Sequence, residues 1–140
     1  MASMNNMPRL VLKRAFMDII TDQLGLELNA EHTKLASDTD ATVWIVEMNE
    51  TFTPIRGSGN GQLSSLNIEF QVFSSRGETA VHKAVYELIK IDATNPRLIE
   101  TGIRIMDINP VASNTSWEDD SSDGYVVATL TLKIDYQARF

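Results

Sequence analysis

The sequence predicts an α+β (α/β) fold: a mostly antiparallel central sheet of about four to five strands, with two main helices packed on one face. Three observations predict it. Apolar residues recur at helical spacing in two separate segments. They alternate at a two-residue period in two others. The elements then follow in the order α, β, β, α, β, β. With 140 residues, the chain reads as a single domain over 1–140, with long loops at about 49–65 and 109–124.

Pro8 to Leu24 reads as the first helix. Leu12, Ala15, Phe16, Ile19 and Ile20 form its apolar stripe. Pro8 suits the first turn and Gly25 a stop. Arg9, Lys13 and Arg14 read as a solvated face or as a contact for an acidic partner. Leu26 to Ala41 is mixed and polar and reads as loop or short irregular structure.

Thr42 to Met48 is rich in β-branched and aromatic residues and reads as a strand. Its near-continuous apolarity predicts burial on both faces, or of one face by a neighbouring subunit. The connection 49–65 centres on Gly57, Gly59 and Gly61. Leu66 to Phe73 alternates cleanly, with Leu66, Ile68, Phe70 and Val72 pointing one way and Asn67, Glu69 and Gln71 the other.

Ser74 to Gly77 is a polar hinge. Ser74 or Ser75 suits the cap of the next helix, and Glu78 stands where a capping box needs it. That helix runs to about Lys90. Val81, Ala84, Val85 and Leu88 face the core, while Glu78, His82, Lys83 and Glu87 face water. Asn95-Pro96 breaks the chain. Arg97 to Ile108 reads as a strand with Ile99, Thr101, Ile103 and Ile105 on one face. After the polar loop 109–124, Tyr125 to Tyr136 alternates most strictly, with Val126, Ala128, Leu130, Leu132, Ile134 and Tyr136 on one side.

Chemistry is sparse. The chain has no cysteine, which excludes disulfides, thiolate metal sites and thiol nucleophiles. His32 and His82 are its two imidazoles. Gly57-x-Gly59-x-Gly61 is not a dinucleotide fingerprint, because the third glycine comes one place early and a strand follows. Asp119, Ser121, Asp123 and Gly124 match half of a calcium loop, but the closing position holds Leu130. Glu118, Asp119 and Asp120 lie together in a polar segment, without the apolar burial that raises a catalytic pKa. The sequons at Asn49 and Asn114 read as chance matches. These observations predict no enzyme, no cofactor and no metal.

A net charge of −7 argues against gripping nucleic acid, since phosphate binding needs a basic footprint. No run approaches the roughly 20 apolar residues of a membrane span. The start of the sequence lacks the apolar stretch of a signal peptide, so the expectation is a protein made in a cytoplasm.

Aromatics in polar stretches are the strongest interface candidates. Trp117 lies among Asn114, Ser116, Glu118, Asp119 and Asp120, and either anchors a partner or folds back onto its own domain. Phe52 and Arg56 in the other long loop, and Phe140 at the last position, complete the candidate interface. A small-ligand-binding α+β module remains the competing class.

The amphipathic first helix, the junction IEFQVFSSRGETAVHKAVYELI at 68–89, the polar loop and the closing strand GYVVATLTLKIDYQARF at 124–140 together resemble bacteriophage tail terminator proteins, also called tail completion or minor tail proteins. The likeness takes in the first helix and the chain from about Thr42 onward. It includes the end motif Ile134-Asp135-Tyr136. The resemblance implies a hexameric ring in the virion that caps the tail tube, stops its polymerisation and offers the neck its docking face. Its implied partners are copies of itself, the tail tube protein, neck or head–tail connector proteins, and the sheath protein where the tail contracts. DNA would pass nearby without specific binding, and an acidic lumen would let it slide. Another neck component or a tube protein is the nearest alternative role.

Overall fold

A computed structural model of the protein describes residues 7–28, 41–55, 61–74, 78–118 and 125–139. Helix α1 (Pro8–Asp18) continues into a π-helical turn (Ile19–Gln23). A two-residue strand β1 (Glu27–Leu28) precedes the long strands β2 (Thr42–Pro54) and β3 (Gly61–Ser74). Helices α2 (Glu78–Ile89) and α3 (Pro96–Ile99) follow, then β4 (Arg104–Glu118) and β5 (Tyr125–Arg139). The sheet order is β1-β2-β3-β5-β4. Every neighbouring pair is antiparallel except β1 and β2, which run parallel over two residue pairs.

The two alternating segments become the central strands. Their registers set Leu66 opposite Ile134, Ile68 opposite Leu132, Phe70 opposite Leu130 and Val72 opposite Ala128. All eight are fully buried. Each large member adds about 1.5–3 kcal/mol of hydrophobic stabilisation.

Both main helices cover that face. The α1 stripe and its continuation bury Leu12, Ala15, Phe16, Ile19 and Ile20, and α2 buries Val81, Ala84, Val85 and Leu88. Both stripes are those the periodicity predicts. The Phe16 and Phe70 rings meet at 5.8 Å between centroids, tilted by 50°, and join α1 to the sheet centre.

The first helix differs from a uniform α-helix in its last turn. Leu24 N–H reaches Ile19 C=O at 3.0 Å, five residues back. Ile19 and Ile20 are both buried within this wider turn. Gly25 at φ 66° then reverses the chain, and Leu26 N–H returns to Ile20 C=O.

Four expectations are corrected. The loop 49–65 is mostly strand, since β2 runs to Pro54 and β3 starts at Gly61. The loop 109–124 is likewise strand as far as Glu118. Polar residues there are tolerated because an edge strand gets its ladder bonds from one neighbour and needs no buried face. The strand expected from Arg97 begins instead as α3, capped by Asn95, whose Oδ1 accepts from Arg97 N–H at 3.0 Å. Ile99 is therefore exposed on a short helix rather than aligned with Ile105. Thr42 to Met48 is not buried throughout: Thr42 and Val43 are buried, whereas Val46 and Glu47 face solvent past a bulge. The hinge cap at Ser75, His32, and the tip with Gly57 and Gly59 lie outside the described residues.

Candidate functional site

The sheet has two unlike faces and two long edges. β1 pairs with β2 only at Thr42 and Val43. Among the described residues, no strand pairs with the rest of β2 or with the outer side of β4. Exposed apolar side chains gather on these edges. Val46, Met106 and Val111 all sit where the register shifts, and Phe52 lies near the end of β2.

Phe52 is 51% exposed and pairs across to Ser64, which pairs in turn with Tyr136. It shares the helix-side face with Glu50, two residues back. Glu50 itself is deeply placed: its side chain is 4% exposed, accepts a hydrogen bond from the Tyr136 hydroxyl, and has Arg9 of α1 at 3.9 Å. Burial, first, and this bond to Glu50, second, push the Tyr136 phenol well above its ordinary pKa. The cluster ties α1, β2 and β5 together beside Phe52. Sequence reading missed it, because Glu50 and Arg9 both stand in polar-looking stretches. The signal that could have found Glu50 is its even spacing from Met48 and Phe52 once β2 is allowed to run on.

Trp117 pairs with Val126 near the far end of the sheet. Its indole Nε1–H donates to Glu78 Oε2 at 2.7 Å, so the ring turns back onto the start of α2 while remaining 54% exposed. Glu78 thus serves the indole. Trp117→Phe is expected to cost no more than about 1 kcal/mol of stability, as a part-exposed hydrogen bond would. Urea unfolding checks it, and a loss above about 2 kcal/mol would mean the ring is buried rather than tethered.

The predicted candidates are not brought together. Phe52 and Trp117 occupy opposite edges and opposite ends of one face, on the order of 35 Å apart by strand geometry. Glu118 closes β4. Arg56, Asp119, Asp120 and Phe140 lie outside the described residues, as does the half calcium loop.

The face away from the helices is polar along its middle. Ser65 Oγ donates to Asp135 Oδ1 at 2.6 Å, and Asn109 Nδ2 donates to Asp107 Oδ2 at 2.7 Å. Asn67 stands opposite Lys133, Glu69 opposite Thr131, and Gln71 opposite Thr129. Among the described residues, the carboxylates Glu47, Glu69, Asp107 and Asp135 outnumber Arg104 and Lys133 there. At one end the face turns aromatic, where Trp44 meets Phe73 edge-on at 5.1 Å.

Among the described residues, no group of three or more His, Asp or Glu side chains could hold a metal ion. An open groove of about 170 Å³ is lined by Val11, Arg14, Ala15, Asp18, Arg97, Glu100 and Thr101. Arg97 closes it by pairing with Asp22 at 2.9 Å and Asp18 at 3.5 Å. Its volume falls below the roughly 300–1,000 Å³ of ordinary ligand pockets.

No family model matches the chain, and no curated protein matches it in sequence. Among solved structures, it is similar to a chain in the virion of a native gene transfer agent particle. The TM-score is 0.60 at 9% identity, over 91% of this chain and 92% of that one. The likeness is one of fold, and it extends over nearly the whole of both chains.

Proposed function

We propose that this protein is a structural ring component of a phage-like virion tail. Copies join head-to-tail and close, as a hexamer, into a ring that caps the tail tube, ends its polymerisation and gives the neck its docking face. The tail tube protein lies on one side of the ring and head–tail connector proteins on the other. The sheath protein touches its rim where the tail contracts. The protein works by fit, without a cofactor and without making or breaking a bond.

The observation that carries this reading is the fold shared, end to end, with a virion chain. The unlike sheet faces support it. Helices on one side supply an outer wall, and the polar face, richer in carboxylates than in cations among the described residues, supplies a lumen that repels DNA phosphates.

Deleting the gene in a particle-producing host is expected to give tails of uncontrolled length that fail to join capsids. Gold-labelled protein is expected at the head-proximal end of wild-type tails in electron micrographs. Tails of normal length joined to capsids without it would overturn the proposal. Label spread along the tube would instead make it a tube protein.

A further inference from the structure

The proposed ring needs a specific contact between copies, and the two sheet edges supply one. Strand direction alternates across β2, β3, β5 and β4, so β2 and β4 run in opposite directions. Rotation about an axis along the strands keeps those directions. A neighbour placed that way sets its β2 antiparallel to this copy's β4, and the operation repeats without reversal. An odd number of long strands would have given a parallel seam.

We infer that, within the ring proposed above, β4 of one copy pairs with β2 of the next over Arg104–Asn109 and Met48–Thr53. Four observations locate the seam. β1 already occupies β2 at Thr42 and Val43, which leaves the other end available. Cross-sheet registers place that end level with the start of β4, through Thr53, Leu63, Gln137 and Arg104. Ile55 N–H donates to Gly61 C=O at 3.1 Å, so ladder alternation turns the backbone groups of Met48, Glu50 and Phe52 outward. Pro54 and Pro110 bound the two segments, and neither interrupts them.

The side chains agree with the backbone. Phe52 lies level with Ile105 on the helix side, through Ser64 and Tyr136. A neighbour in this register lays Ile105 against Phe52, with Met106, itself 50% exposed, next to it. Neither edge carries the lysines that commonly guard a strand against pairing, since Arg104 is the one cation in β2 and β4 together. A two-fold pairing of β2 with β2 would stop at a dimer and leave both β4 edges outside it, so it builds no ring.

The absence of cysteine makes a clean test. Thr53→Cys is combined in turn with Arg104→Cys, Met106→Cys and Asn109→Cys, which spans the shear a closed ring can introduce. Cross-strand Cβ atoms about 4.5–5.5 Å apart approach disulfide range. Mild oxidation of the full chain is expected to give, for at least one pair, a covalent ladder of dimer, trimer and larger species that ends at the ring number. Phe52→Lys is expected to raise the protein concentration needed for assembly by at least about tenfold, equivalent to 1.4 kcal/mol. Its circular dichroism spectrum should stay unchanged. Rings seen by electron microscopy without any ladder beyond dimer would overturn the strand seam and leave the ring reading intact. Efficient dimers from Arg104→Cys alone would overturn it in favour of two-fold β4 pairing. A chain that stays monomeric at millimolar concentration and in the presence of tail tubes would overturn both.

Discussion

Phe16→Ala is expected to lower the free energy of unfolding by about 3–5 kcal/mol, the cost of emptying a well-packed aromatic site. Phe16 is fully buried and holds α1 against Phe70 at the centre of β3. The helix has no side-chain cap at its start and no basic residue in its last turn. Its propensity alone would leave eleven residues marginal in water. Docking through Leu12, Phe16, Ile19 and Ile20 must therefore supply most of its stability. Chemical denaturation with a circular dichroism readout measures the change. A loss under about 1 kcal/mol would mean that α1 does not pack on the sheet as described.

Tyr136 is expected to make the protein sensitive to alkali, and Tyr136→Phe to remove that sensitivity. The phenol is fully buried, and burial together with the bond to Glu50 raises its pKa in the folded state. The unfolded chain releases that proton near pH 10, and the folded chain releases it later. The stabilising contribution is thus complete below pH 10 and is lost as pH rises from there through the folded value. The slope reaches about 1.4 kcal/mol per pH unit in that window. Unfolding curves at pH 8, 10 and 11 separate wild type from Tyr136→Phe, because the two proteins differ in this one phenol. Parallel declines would show that the phenol is not held in this way. Glu50 lies at the proposed seam, so the same cluster sets the shape of the edge that a neighbour meets.

Particular elements show how far local pattern carries. The stripe Leu12, Phe16, Ile19 and Ile20 was legible because a helix buries one face at fixed spacing, whatever lies beneath it. The alternation of Leu66, Ile68, Phe70 and Val72 was legible for the same kind of reason, since a central strand under two helices must bury every second side chain. Asn109 to Glu118 was not legible as strand. Nine uncharged, mostly small residues there carry no apolar period, because their strand is held by backbone bonds to β5 rather than by a buried face. Phe73 breaks the alternation of β3 for a non-local reason, namely Trp44 on the neighbouring strand. The aromatic candidates fared unevenly. Phe52 and Trp117 are both half exposed, and they stand on opposite edges of the sheet, with the Trp117 indole hydrogen-bonded to Glu78.

Residue order alone determined the α+β class, the two helical stripes, the two central strands and the lack of thiol chemistry, since each depends on neighbours within a few positions of one another. Only the tertiary structure decided that β2 and β4 are the long edges, that they run oppositely, and that Glu50 meets Tyr136 and Arg9. Those facts depend on which strands lie side by side, and pairings between residues 86 positions apart leave no period in the chain.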